Sequence, residues 1–143
     1  MSEEFWRGLT LLLINSSADT IELMTDWFTA LGAVVHHVRA RELCSNIGDA
    51  KQLVQTIKPR VILFDLAVPY ARNWTCLQYL LDNSVFDALP VVLTTPNRRA
   101  LESISGPKEA FEVVGSPHDL WKLQDLIQWR VSGDHHPGTS SLH

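Results

Sequence analysis

Three short, unbroken apolar runs constrain this chain more than any other feature: Leu11 to Ile14, Val61 to Phe64 and Val91 to Leu93. A strand with one wet face alternates apolar and polar side chains. These runs contain no polar position, so each reads as a strand covered on both sides, the habit of parallel sheets.

The stretches between the runs carry helical spacing. Thr20, Leu23, Met24, Trp27, Phe28 and Leu31 mark a first helix, with Gly32 where a C-cap glycine would sit. Ala33 to Val38 reads as a second strand, and Ile47 to Ile57 as a helix that ends before Pro59. After a loop at Pro69 to Asn73, Cys76, Leu77, Tyr79, Leu80 and Leu81 form a third helix. A short helix near Arg98 to Ile104 closes at Gly106-Pro107, and Phe111 to Val114 is the fifth strand. Pro117 opens a last helix with Leu120, Leu123, Ile127 and Val131 on one face. The alternation predicts one α/β domain over residues 9–131, a doubly wound five-stranded parallel sheet, with a lead-in at 1–8 and a flexible polar tail at 132–143.

Composition removes several function classes. A formal charge of −4 offers no basic surface of the size that phosphate backbones need, so no nucleic-acid partner is expected. No apolar run approaches membrane-spanning length and the start Ser2-Glu3-Glu4 is acidic, so no membrane association is expected and the chain reads as cytoplasmic. Cys44 and Cys76 are too few for a structural zinc site and read as free thiols, Cys76 as a small buried hydrophobe. His36 and His37 are adjacent in a strand and face opposite sides, so no shared metal is expected.

In doubly wound sheets, function collects beyond the carboxyl ends of the strands. The residues there are Asn15 and Ser16, Asp65, Thr94 and Thr95, and Ser116. Asp65-Leu66-Ala67-Val68-Pro69, Leu89-Pro90-Val91-Val92-Leu93-Thr94-Thr95 and Ser116-Pro117 fall in an order and spacing that resembles the receiver domain of two-component response regulators. The resemblance implies a flavodoxin-like sheet of order 2-1-3-4-5, Asp65 as phospho-acceptor and Thr95 as switch hydroxyl. It also marks departures. Asn15-Ser16 stands where the family has a pair of acids, and Ser116 stands where it has a lysine.

Those departures remove the anchor of a Mg²⁺ ion, which prefers charged oxygen ligands, and the cation that offsets charge on a transferring phosphoryl group. Arg72, Arg98 or Arg99 would have to supply that cation. Magnesium binding is therefore expected to be weak or absent, with no other cofactor. Asp65 is left with three readings: a phospho-acceptor, a cap on a nearby backbone turn, or a carboxylate without a task. Thr95 is either a phosphate-sensing hydroxyl or a structural one.

The last helix carries more large apolar residues than one core face needs. Trp121, Leu126 and Trp129 fall outside the Leu120 stripe, which suggests a partner surface; the alternative is a wider core face under Phe5 and Trp6. The expectation is a receiver-like signalling module, an atypical pseudo-receiver rather than an enzyme. It would act by contact with a sensor kinase, an output domain or a second copy as a homodimer, independently of phosphorylation. The alternatives are a phosphorelay receiver modified at Asp65 with weak Mg²⁺ assistance, and a small ligand bound at the strand ends.

Overall fold

The computed structural model describes residues 2–97, 99, 111–112 and 117–132. Four five-residue strands, β1 (Thr10–Ile14), β2 (Val34–Val38), β3 (Val61–Asp65) and β4 (Val91–Thr95), lie parallel in the order β2-β1-β3-β4. A two-residue strand, β5 (Phe111–Glu112), pairs with the far side of β4, Thr94 opposite Phe111 and Thr95 opposite Glu112. Of the fifth strand expected over Phe111–Val114, the described residues show this two-residue pairing at the β4 edge, in the expected order. The rest of its expected span, 113–114, lies outside the described residues, as does nearly all of the helix expected at 98–104 and the tail from 133.

Among the described residues, six helices flank the sheet: α1 (Ser2–Trp6), α2 (Ala18–Ala30), α3 (Ala40–Cys44), α4 (Ile47–Ile57), α5 (Tyr70–Asp82) and α6 (Pro117–Ser132). Parallel strands need a crossover, and each crossover places a helix on one face. The side-chain parity of β1 and β3 divides the interior into two cores. Leu12, Ile14, Ile62 and Phe64 face α3, α4 and α5, packing with Leu43, Val54, Leu77 and Leu80. Leu11, Leu13, Val61 and Leu63 face α1, α2 and α6, packing with Trp6, Phe28, Leu123 and Ile127. Hence every position of those runs is apolar. Truncating one such leucine to alanine costs about 2–5 kcal/mol.

Local chemistry sets the helix ends. The Ser17 hydroxyl accepts from the Thr20 amide at 3.3 Å to start α2, and the Asn46 side chain accepts from the Asp49 amide at 3.0 Å to start α4. Past the end of α2, Gly32 sits at φ +108°, where a Cβ would come within 3.2 Å of the Arg7 backbone. Glycine is required there on both counts. The Gly8 amide donates to the Gly32 carbonyl at 2.9 Å, fastening the N-terminal segment to the end of α2.

Three departures from the sequence reading have physical causes. Residues 2–6 form a helix whose Trp6 is fully buried against Phe28 at 5.3 Å between ring centroids, so part of the 1–8 lead-in belongs to the core. The expected loop at Pro69–Asn73 is helical: Pro69 is the N-cap of α5, and the Asn73 amide donates to its carbonyl at 3.1 Å. Finally, Cys44 and Cys76 are joined by a disulfide. They are not free thiols, because the short helix α3, absent from the sequence reading, carries Cys44 over α5 and brings the two Cα atoms within 6.0 Å.

Candidate functional site

The strand ends build the site from neighbouring registers. Asp65 closes β3 and pairs with Thr94 on β4, and the Thr94 hydroxyl donates to Asp65 Oδ1 at 2.8 Å. Withdrawal of the carboxyl from water pushes its pKa up from 3.8 to about 6, against the smaller opposing pull of the Thr94 hydrogen bond. Arg72 and Arg99 are exposed, and Arg98 lies outside the described residues.

Thr95, the residue assigned by resemblance to the switch position, is fully buried. Its hydroxyl donates to the Leu66 carbonyl at 2.7 Å and accepts from the Asn97 amide at 3.2 Å. The Leu66 amide in turn donates to the Thr94 carbonyl at 2.7 Å. Successive residues of a strand face opposite ways, so Thr94, and not Thr95, meets the carboxylate. Thr94 is among the strand-end residues picked out from sequence, but its pairing with Asp65 follows only from strand parity combined with register, and register is not readable from an all-apolar run.

At the end of β1, Asn15 is 4% exposed. Its Oδ1 accepts from the Ser17 amide at 2.8 Å, and its own amide donates to the Val38 carbonyl at 3.1 Å. Ser16 is exposed and opens into a cleft of about 630 Å³ between α2, β2 and α3, lined also by Glu22, Asp26, His37, Arg39 and Glu42. Asp65, Thr94 and Thr95 do not line it. Ser116 lies outside the described residues.

These donors suit a hard divalent cation poorly. Of Asn15, Ser16 and Asp65 only Asp65 can carry charge, and the Asn15 oxygen already closes a turn. Among the described residues, no group of three His, Cys, Asp or Glu is arranged to hold a metal ion. The loop after Asp65 is braced by the Asn73 side chain, whose Nδ2 donates to the Ala67 carbonyl at 2.8 Å.

The three outer residues of α6 separate. Trp121 is 56% exposed and meets Trp27 of α2 edge-on, with centroids 5.9 Å apart. Leu126 is half-buried against the α1/α2/α6 core, and Trp129 is half-buried. Between the helices, the Trp27 indole N–H donates to Oε1 of the buried Gln124 at 3.1 Å. That pairing was not foreseen. Among the described residues, no helix is long and apolar enough to cross a membrane.

No family model matches the chain, and no curated protein sequence matches it. Solved structures do. The receiver domain of the histidine kinase CKI1 from Arabidopsis thaliana, complexed with Mg²⁺ and BeF₃⁻, is similar at TM-score 0.65 and 14% identity, over 92% of this chain and 95% of that one. The anti-anti-sigma factor PhyR from Bartonella quintana gives TM-score 0.60 at 17% identity, over 87% of this chain and 48% of that one. A transiently phosphorylated "switch" in bacterial signal transduction gives TM-score 0.54 at 16% identity, over 88% and 95%. The chain therefore has the receiver-domain fold.

Proposed function

We propose that this chain is a receiver-like signalling module that works by protein contact, without enzymatic activity and without a need for phosphate on Asp65. The observation that carries the reading is the state of Asp65, a half-buried lone carboxylate held by the Thr94 hydroxyl. Phosphoryl transfer needs charge neutralised on the transferring oxygens as well as a nucleophile. The residues at the acid-pair position supply none: Asn15 is neutral and engaged in a turn. Thr95 is engaged with Leu66 and Asn97, so it has no free hydroxyl to turn toward a modified Asp65.

The contact surface in this reading is the seam of α2 and α6 around Trp121, whose exposed ring stands on Trp27. An exposed tryptophan anchored from below is suited to a partner pocket. The partner would be a sensor kinase, an output domain or a second copy of this chain.

The second reading keeps phosphoryl chemistry. It is favoured by Asp65 itself, at a strand end in a fold whose solved examples include one complexed with Mg²⁺ and BeF₃⁻ and one transiently phosphorylated. Intact-mass analysis after incubation with Mg²⁺ and a small phosphodonor separates the two, with Asp65→Asn as control. The proposed reading expects no adduct on a folded sample. A phosphate-sized gain that the control abolishes would replace it with the phosphorelay reading.

A further inference from the structure

We infer that Cys44 and Cys76 are a reversible thiol–disulfide exchange pair whose state is transmitted to the loop that follows Asp65. The bond ties α3 to the middle of α5 across 32 residues of sequence. Its two ends differ in access. Cys44 is half-buried, whereas Cys76 is 8% exposed and packed among Ala40, Leu43, Leu77 and Leu80. A dithiol can therefore approach one sulfur and is shielded from the other.

The reduced pair also has a place in the same structure. Cys44 Sγ lies 3.5 Å from the Cys76 carbonyl oxygen, and Cys76 Sγ lies 3.5 Å from the Ala40 carbonyl oxygen. A thiol is a weak donor, so as the two sulfurs swing apart on reduction each S–H has a backbone carbonyl within reach. Apolar packing of Ala40 and Leu43 keeps α3 docked when the bond is open.

Reduction proceeds in two displacements. A thiolate of the dithiol attacks Cys44 Sγ, the bond to Cys76 breaks, and Cys76 leaves as a thiolate that takes a proton from solvent. The reductant's second thiolate then attacks its own sulfur in the mixed disulfide and releases Cys44, which is protonated in turn. The dithiol supplies both electrons and becomes a disulfide, and an oxidised dithiol reverses the sequence.

The route to the site is short. Asn73 precedes Cys76 by one turn of α5, and its side chain and amide hold the Ala67 and Pro69 carbonyls. Opening the bond removes the covalent tether from α5 at that turn, so the segment 66–73 opens more often. This inference stands on the cysteines alone and holds whether or not Asp65 accepts phosphate.

The test uses the whole chain in buffers of reduced and oxidised dithiothreitol without denaturant. Intact mass should show a reversible gain of two hydrogens on a protein that stays folded by circular dichroism. In Cys76→Ser, Cys44 should form a mixed disulfide with a small aromatic disulfide at least about tenfold faster than Cys76 does in Cys44→Ser. Amide exchange at 66–73 should be faster in the reduced chain, with α2 unchanged. Reduction only at the rate of global unfolding, equal reactivity of the two cysteines, or equal exchange at 66–73 in both states would each overturn the inference.

Discussion

Thr94 and Asp65 face each other across the paired ends of β4 and β3, and the 2.8 Å hydrogen bond between them links the candidate site's one carboxylate to the sheet. The bond favours the ionised form, and burial opposes it more strongly. Replacing Thr94 by valine removes the donor and keeps the shape. The Asp65 pKa should then rise above 6, and stability at neutral pH should fall by about 1–2 kcal/mol. Carboxyl carbon NMR titration and urea unfolding measure the two effects.

Asp65→Asn should act in the opposite sense. The folded-state pKa of about 6 exceeds the unfolded value of 3.8, so the folded state holds its proton longer. Ionisation thus destabilises the fold progressively from about pH 4 to pH 6 and by a constant amount above, up to about 3 kcal/mol less the relief from partial solvent access. The asparagine variant should be more stable than the parent at pH 7, and the difference should vanish toward pH 4. Equal stabilities at both pH values in denaturant titrations would show that Asp65 is solvated like a surface carboxylate.

Trp6 is fully buried, and its indole N–H has no hydrogen-bond partner among the described residues. An unpaired buried donor costs about 1–3 kcal/mol. Trp6→Phe, which removes that donor along with some ring area, should cost much less than Trp6→Ala, for which about 3–5 kcal/mol is expected. Thermal or urea unfolding of the pair distinguishes them.

Trp121→Ala should leave stability within about 1 kcal/mol of the parent, because the ring is more than half exposed and loses chiefly its edge contact with Trp27. Under the proposed function it should abolish partner capture or self-association, read by sedimentation and pull-down. Full binding by a folded Trp121→Ala variant would move the contact surface elsewhere.

Reduction of the Cys44–Cys76 bond frees a loop closed over 32 residues of sequence and should lower stability by about 3–4 kcal/mol on chain-entropy grounds. Urea midpoints with and without reductant measure it.

The fold was legible because Leu11–Ile14, Val61–Phe64 and Val91–Leu93 have apolar residues at every position, and only a sheet with helices on both faces covers such strands. Helix α2 was legible through its spacing and Gly32. Helix α3 was not, since five residues carry less than two turns of periodicity. The start of α5 was misread because Pro69 looked like a loop residue, yet proline needs no amide partner at a helix N-terminus. At the site, Asp65 and Asn15 were found from their positions after strands. Thr94 was passed over for Thr95 because a one-residue difference in parity is invisible without register. The cysteine pairing escaped for a similar reason: it depends on how α3 crosses α5, and spacing does not encode that.

The uniform interior of β1 has a consequence for how the sheet finds its alignment. Leu11, Leu12, Leu13 and Ile14 are all buried, so sliding this strand by one residue would exchange one greasy side chain for another and meet little resistance from the core itself. The address is written at the ends. The Asn15 backbone amide hooks the Val38 carbonyl while its side chain locks the following turn by accepting from the Ser17 amide, and Gly8 clasps Gly32 at the opposite end. The buried Asn15 side chain thus acts as an indexing pin, a structural reason for a polar residue at the end of an all-apolar strand.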